Sequence, residues 1–208
     1  MHASPDRFKV LRAKSYARMP WKNGGGETRE IAIFPSAASL DTLEWRVSMA
    51  VVAQDGPFSS FPGIDRTLCV LEGAGMELDF GSGGGIKTVT PTSAPFEFAA
   101  DRPLQARLLD GAITDLNVMS RRERYRHSVR RLPLEPRPIS VGSMANWTLL
   151  FCEQGNVRCR LANDPEIALD TWDCLLLSQT TALFELRSDA RATAAASVCL
   201  IELYRIKP

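Results

Sequence analysis

Period-two alternation, cut every few residues by Pro, Gly or Asp, constrains this chain more than any other feature. Thr28-Arg-Glu-Ile-Ala-Ile-Phe34 alternates and stops at Pro35. Glu44-Trp-Arg-Val-Ser-Met-Ala-Val-Val52 alternates and stops before Asp55-Gly56-Pro57. The apolar run Thr67–Leu71 closes at Glu72-Gly73, and Met76–Phe80 runs into the flexible tip Gly81-Ser-Gly-Gly-Gly85. Further short segments follow at 86–90, 96–99, 105–109 and 113–119. Successive side chains of a strand face opposite ways, so this rhythm predicts an all-β chain of short strands closed into a sandwich or barrel.

Between Ser120 and Pro138 the rhythm breaks. Six arginines fall within Arg121–Arg131 against one acid, Glu123, and Pro133, Pro136 and Pro138 follow. This segment reads as a connector. Strands resume at 147–151, 157–161, 171–177, 182–186 and 198–206, and Ala190–Ala196 is the one short helical candidate. The second half loosely repeats the first: Leu71-Glu-Gly-Ala-Gly-Met-Glu-Leu resembles Cys152-Glu-Gln-Gly-Asn-Val-Arg-Cys. The expected organisation is a first barrel over 1–120, a connector over 121–138, and a second barrel over 139–208 that shares strands with the first.

Composition narrows the function classes. Twenty-five Lys and Arg stand against 24 Asp and Glu, which argues against a whole-surface polyanion binder. The Arg-rich connector could contact nucleic acid, but a solvated or salt-bridged linker is favoured. Five cysteines without CxxC spacing, most among aliphatic neighbours, read as reduced buried thiols. No apolar leader and no run of roughly 20 apolar residues is seen, so a cytoplasmic protein without membrane association is expected. Only two histidines occur, His2 and His127. His127, inside the Arg-rich run, is expected at the surface.

Four segments carry polar side chains suited to a site. Met19-Pro-Trp-Lys-Asn-Gly-Gly-Gly-Glu-Thr28 holds Trp21, Lys22, Asn23 and Thr28. Its three glycines allow either an anion-binding nest or a bulge at the entry to a strand. A nucleotide P-loop fits poorly, because Lys22 precedes the glycines and a strand follows them. In Trp45-Arg46-Val47-Ser48, alternation puts Arg46 and Ser48 on one face and Trp45 and Val47 on the other. Arg46 could bind a carboxylate inside a barrel, though spacing alone slightly favours solvent. Asp55 to Thr67 forms a structured loop with Phe58 and Phe61 as anchors, and Asp65-Arg66 at its end could be an ion pair. Asp115, Asn117 and Met119 share one strand face, and Asn117 offers both a donor and an acceptor.

Taken in order, these segments resemble the HutD/Ves family. The match rests on Pro20-Trp21-Lys22-Asn23-Gly24-Gly25-Gly26 with Thr28, Trp45-Arg46 with Ser48, Asp55-Gly56-Pro57-Phe58-Ser59 with Phe61-Pro62-Gly63 and Asp65-Arg66, and Asp115-Leu116-Asn117-Val118-Met119. Leu116 stands where the family is expected to carry an aromatic residue. The resemblance implies a cupin-type (RmlC-like jelly roll) bicupin, two stacked small β-barrels in one chain. It also implies an association with histidine utilisation. A regulator binding a pathway acid such as formylglutamate or urocanate is the role it suggests. Many cupins hold a metal with two or three His and a Glu, but the first-half strands here contain no histidine, so no metal and no cofactor are expected.

The expected function is therefore a non-enzymatic protein that binds a small anionic metabolite in the first barrel. The candidate ligand-binding residues are Trp21, Lys22, Asn23, Thr28, Arg46, Ser48, Asp65, Arg66, Asn117 and Arg121, and no catalytic residue is assigned. The alternative is a metal-independent isomerase or hydrolase of a small acid, with Asp65 or Glu27 as general base. Barrel edges are compatible with a homodimer.

Overall fold

The computed structural model describes residues 8–161, 164–178, 182–189 and 195–207. The chain is almost entirely β. In order the strands are β1 (Phe8–Leu11), β2 (Ala17–Pro20), β3 (Gly26–Phe34), β4 (Trp45–Val52), β5 (Gly56–Pro57) and β6 (Ile64–Glu72). Then come β7 (Met76–Asp79), β8 (Ile86–Val89), β9 (Phe96–Ala99), β10 (Gln105–Leu108), β11 (Ile113–Arg121) and β12 (Tyr125–Leu134). The last are β13 (Ile139–Ser143), β14 (Trp147–Gln154), β15 (Val157–Leu161), β16 (Ile167–Leu169), β17 (Cys174–Ser178), β18 (Ala182–Ser188) and β19 (Ala196–Arg205). Among the described residues the one helical turn is a 3-10 turn at Ala13–Ser15. Residues 190–194 of the helical candidate lie outside the described residues, and Ala196 opens β19.

The chain divides into two compact units. One is Tyr16–Arg126 with the residues from Ile206 onward; the other is His127–Arg205 with the residues up to Ser15. The first contains a six-stranded sheet, β2-β3-β4-β11-β6-β9, and a four-stranded sheet, β5-β10-β7-β8. The second contains β1-β17-β14-β19-β12 and β13-β18-β15-β16. Adding eight to each strand number of β4-β11-β6-β9 and β5-β10-β7-β8 reproduces β12-β19-β14-β17 and β13-β18-β15-β16. The topology is thus an eight-strand jelly roll used twice, a bicupin. Strands β2 and β3 extend the first roll beyond β4, and β1 extends the second beyond β17.

The two rolls share finer marks. A bulge displaces β6 against β11 between the pairs Thr114↔Glu72 and Asp115↔Val70. Another displaces β14 against β19 between Gln154↔Ser197 and Cys152↔Val198. Each bulged strand ends at a glycine with positive φ, Gly73 (90°) and Gly155 (76°). A Cβ would come within 2.7 Å of the Ala112 carbonyl oxygen at Gly73 and within 2.7 Å of the Ala195 carbonyl oxygen at Gly155. Left-handed backbone and crowding together demand glycine at both places.

The Arg-rich segment is not a plain connector. Most of it is β12, at the edge of its sheet, where a proline such as Pro133 is tolerated. Its arginines meet acids: Arg122 contacts Asp65 and Asp101, Arg130 contacts Glu202, and Arg131 contacts Glu153. His127 is buried, not at the surface. The unit boundary falls within this strand, and the N-terminal β1 belongs with the C-terminal half.

The rolls differ inside. The second is packed with Leu150, Val157, Leu175, Phe184, Leu186, Val198 and Leu200, drawn from both of its sheets. The first has an apolar floor including Val52, Leu68, Val70, Met76, Leu78 and Ile113. A smaller cluster of Leu43, Ile64, Ala100 and Met119 packs elsewhere in the same unit. Polar side chains on β4, β6 and β11 make up the rest of that interior.

Candidate ligand-binding site

Antiparallel register assembles the polar belt. Arg46 on β4 and Arg66 on β6 both lie opposite Met119 on β11, so three adjacent strands carry them in one row. Opposed residues of a sheet share a face, so both arginines project to the same side. The next row on that face is Ser48, Asn117 and Leu68, and the one after it is Ala50, Asp115 and Val70. Arg46, Ser48, Ala50, Arg66, Asp115, Asn117 and Met119 line a cavity of about 670 Å³. Trp45, Val47 and Met49, on the other face of β4, are fully buried. Arg46 therefore points into the barrel and not to solvent, with only 8% of its surface exposed.

The polar groups form two hydrogen-bonded sets, Arg46 with Glu30, and Arg66 with Asn117 and Asp115. Arg46 Nε donates to Glu30 Oε2 at 2.8 Å. Arg66 Nε donates to Asn117 Oδ1 at 2.8 Å, and its Nη2 donates to the same oxygen. Asn117 Nδ2 in turn donates to Asp115 Oδ1 at 2.5 Å. The Arg66 guanidinium lies over the Phe58 ring, 4.5 Å from its centroid, and 5.9 Å from that of Phe98. Burial lowers the Arg66 pKa to about 10, opposed by the Asp115 charge. Burial raises the Asp115 pKa to about 6, against the pull of Arg66, the Asn117 hydrogen bond and a backbone donor at Ala50. Asp115 Oδ2 is buried with no hydrogen-bond partner among the described residues.

A hairpin loop supplies another part of the wall. Pro20 pairs with Glu27, so residues 21–25 join β2 to β3. Gly24 N donates to Trp21 O, Gly25 N donates to Asn23 Oδ1, and Trp21 N donates to Gly26 O. The Gly24 and Gly25 amides that a nest would offer are thus used to close the loop. Gly26 is required for a different reason: a Cβ there would meet the Val51 carbonyl oxygen at 2.2 Å and the Trp21 ring at 2.9 Å. Trp21 is fixed by its indole N–H, which donates to Thr28 Oγ1 at 2.8 Å. Trp21, Lys22, Asn23 and Thr28 all line the cavity, with Lys22 and Asn23 exposed. Phe58 N donates to Leu104 O, which ties the 55–67 loop to the barrel.

Eight of the ten candidate residues thus meet in one cavity: Trp21, Lys22, Asn23, Thr28, Arg46, Ser48, Arg66 and Asn117. Two do not. Asp65 adjoins Arg66 on β6 and faces the other way, where Arg122 binds it at 2.8 Å, so the expected Asp65–Arg66 pair does not form. Arg121 ends β11 and donates to the carbonyls of Leu43 and Asp41, bracing the 39–43 loop. Asp115, outside those ten, also lines the cavity, on the strand face it shares with Asn117. Met19, Leu40, Gln54, Pro57, Phe58 and Phe61 complete much of the wall. Nothing in the sequence of the 35–44 loop marks Leu40 as reaching this place.

The HutD family model matches residues 13–198, nearly the whole span of both rolls. The chain belongs to the HutD family. A relative from Pseudomonas putida, an uncharacterised 21.2 kDa protein in the hutC 3′ region, is 36% identical over 197 residues, 95% of this chain and 97% of its own length. Protein Ves of Citrobacter koseri is 42% identical over 114 residues, 53% of this chain and 56% of Ves. The structure of HutD from Pseudomonas fluorescens SBW25, in a formate condition, is 32% identical with a TM-score of 0.79, covering 96% of this chain and 100% of that one. The family is thereby linked to the histidine-utilisation region. Among the described residues no helix is long and apolar enough to cross a membrane.

Proposed function

We propose that this HutD-family chain is a binding protein for a small carboxylate metabolite, held in the first jelly roll, and that it modulates histidine utilisation without transforming its ligand. The pair Arg46 and Arg66 carries this reading. Arg46 is buried in the cavity wall and Arg66 is half-buried there, and among the described residues Arg46 engages Glu30 through Nε alone. Its two Nη groups keep the fork that suits a carboxylate. Ser48, Asn23 and Gln54 add hydrogen-bonding groups, while Trp21, Phe58 and Phe61 add apolar wall. The formate condition of the Pseudomonas fluorescens HutD structure is compatible with a carboxylate site in the family. Five buried cysteines, none in a disulfide, fit a reducing, cytoplasmic compartment. Asp65 and Glu27, the carboxylates considered as general bases, do not line the cavity; Asp65 is held by Arg122, and Glu27 by Arg18 and Arg29.

A thermal-shift panel of formate, urocanate, N-formylglutamate and glutamate tests this. A ligand at ten times its Kd raises the midpoint by roughly 3–6 °C for a chain of this size, and Arg46→Gln abolishes the rise. No shift with any acid at millimolar concentration overturns the reading.

A further inference from the structure

The arginine pair occupies only one part of the cavity wall. Arg46 and Ala50 lie four residues apart on β4, so about 13 Å of strand separates the guanidinium row from the Ala50 row. The wall changes character over that distance. Ala50 and Val52 line the cavity from one sheet of the roll, and Pro57 and Ala106 line it from the other. Trp21 adds to this apolar part: its indole N–H is taken by Thr28, which pairs with Ala50, so the ring offers the cavity an apolar surface. Asp115, opposite Ala50, is wholly buried and presents no surface to a ligand.

The second roll shows where the space comes from. Ala106 lies opposite Leu78, the third residue of β7, and Leu186 lies opposite Cys159, the third residue of β15. Leu186 is fully buried in the packed interior of the second roll, whereas Ala106 leaves that volume to the cavity. At about 670 Å³ the cavity is of the size that takes drug-sized ligands, roughly 300–1,000 Å³. A short acid seated on the arginines leaves its apolar part unfilled.

We propose that the ligand is a monocarboxylate with an uncharged apolar tail, its carboxylate on Arg46 and Arg66 and its tail running past Ala50 and Ala106 to Trp21. This rests on the carboxylate reading above and names the rest of the molecule, which that reading leaves open. The tail is uncharged because a second charge among these apolar groups would lose its hydration without gaining a partner, and a second anion would also meet the field of Asp115. Ala106 decides the specificity for the tail, since a leucine at that place fills the space beside it.

Acids that differ only in the tail test this. Propionate, heptanoate and 3-phenylpropionate are titrated calorimetrically, with 1-heptanol as a tail without the charge. Each buried methylene tightens binding about fourfold. Heptanoate and 3-phenylpropionate therefore bind roughly tenfold tighter than propionate or better, and 1-heptanol binds far more weakly than heptanoate. In Ala106→Leu, which copies Leu186 into the cavity, the ratio of heptanoate to propionate affinity falls below about threefold. A wild-type ratio short of tenfold overturns the inference and leaves the carboxylate reading standing. A ratio that stays above threefold in Ala106→Leu puts the tail elsewhere and overturns it too. If no acid binds at millimolar concentration, or 1-heptanol binds as tightly as heptanoate, the carboxylate reading fails and takes the inference with it. Should Ala106→Leu not fold, Trp21→Ala decides: it lowers the heptanoate-to-propionate ratio at least threefold, and a smaller drop overturns the inference.

Discussion

The two jelly rolls of this chain are one topology with two interiors. Their shared bulge aligns them residue by residue: Val70 with Cys152, Leu68 with Leu150, Arg66 with Thr148, Asp115 with Val198, Asn117 with Leu200 and Met119 with Glu202. Where the first roll carries Arg66, Asp115 and Asn117, the second carries Thr148, Val198 and Leu200. Val198 and Leu200 join a continuous apolar core, whereas their counterparts line a cavity. Glu202 is buried, but Ser143 and Tyr204 donate to one of its oxygens, at 2.8 and 3.0 Å, and Arg130 binds the other. A satisfied carboxylate in a filled roll is architecture. Asp115, by contrast, keeps one buried oxygen without a partner among the described residues. At these three aligned positions the first roll carries charged or amide side chains and the second carries Thr, Val and Leu.

The largest effect comes from copying the second interior into the first. Arg66→Thr alone leaves Asp115 buried without its compensating charge and is expected to cost about 3–5 kcal/mol. The triple change Arg66→Thr, Asp115→Val, Asn117→Leu removes the whole buried network together. Replacing such a network with apolar groups is often neutral or stabilising, so the triple variant is expected to recover most of that loss. Urea unfolding of wild type, single and triple variants measures this, and a thermal-shift assay shows that the triple variant no longer responds to carboxylates. A triple variant no more stable than Arg66→Thr would mean that the belt belongs to the scaffold.

A second test asks whether the equivalence extends to the backbone. Gly73→Ala and Gly155→Ala each force a Cβ into left-handed backbone and against a carbonyl oxygen 2.7 Å away. Each is expected to cost roughly 2 kcal/mol, by similar amounts, because strain and neighbour are the same in both rolls. Chemical denaturation with fluorescence detection compares them. Costs differing by more than about 1 kcal/mol would show that the two bulges are alike only in outline.

Most of the strand framework is legible in the sequence, because alternation and turn residues are local signals. β3, β4, β7, β9 and β15 stand within two residues of where their patterns place them. β12 was hidden for a physical reason: its outward positions carry arginines and it ends near Pro133, so an edge strand reads as a linker. The repeat was visible only at Leu71-Glu-Gly and its partner, where bulge and glycine impose sequence; elsewhere packing accepts many apolar residues. Within the site, alternation sufficed to pair Arg46 with Ser48 and Asp115 with Asn117, and it also separates Asp65 from Arg66. It could not say which face of β4 meets the cavity, because both faces are buried and the polar one points inward. Nor could it show that Arg121 braces the 39–43 loop, since that contact spans 78 residues of sequence.

The smallest effect is a pH dependence that the first roll carries and the second, with Val198 in place of Asp115, cannot. Native Asp115 holds its proton up to about pH 6, and in the unfolded chain only up to its ordinary value of 3.8. Between those values the folded chain binds one proton more than the unfolded chain, so this group makes stability fall as pH rises through the window. Above pH 6 the full penalty of a buried, half-satisfied carboxylate is present; on acidification toward pH 4 it is relieved. The Arg66 guanidinium that faces it stays protonated throughout. Surface acids held by arginine, such as Glu27 and Asp101, have lowered pKa values and lose stabilisation at still lower pH, opposite in sign. Asp115→Asn cancels the Asp115 contribution and leaves theirs. The stability of Asp115→Asn relative to wild type should therefore decline by about 1 kcal/mol between pH 8 and pH 5, read from urea midpoints at each pH. A pH-independent difference would mean that Asp115 titrates as an ordinary carboxylate.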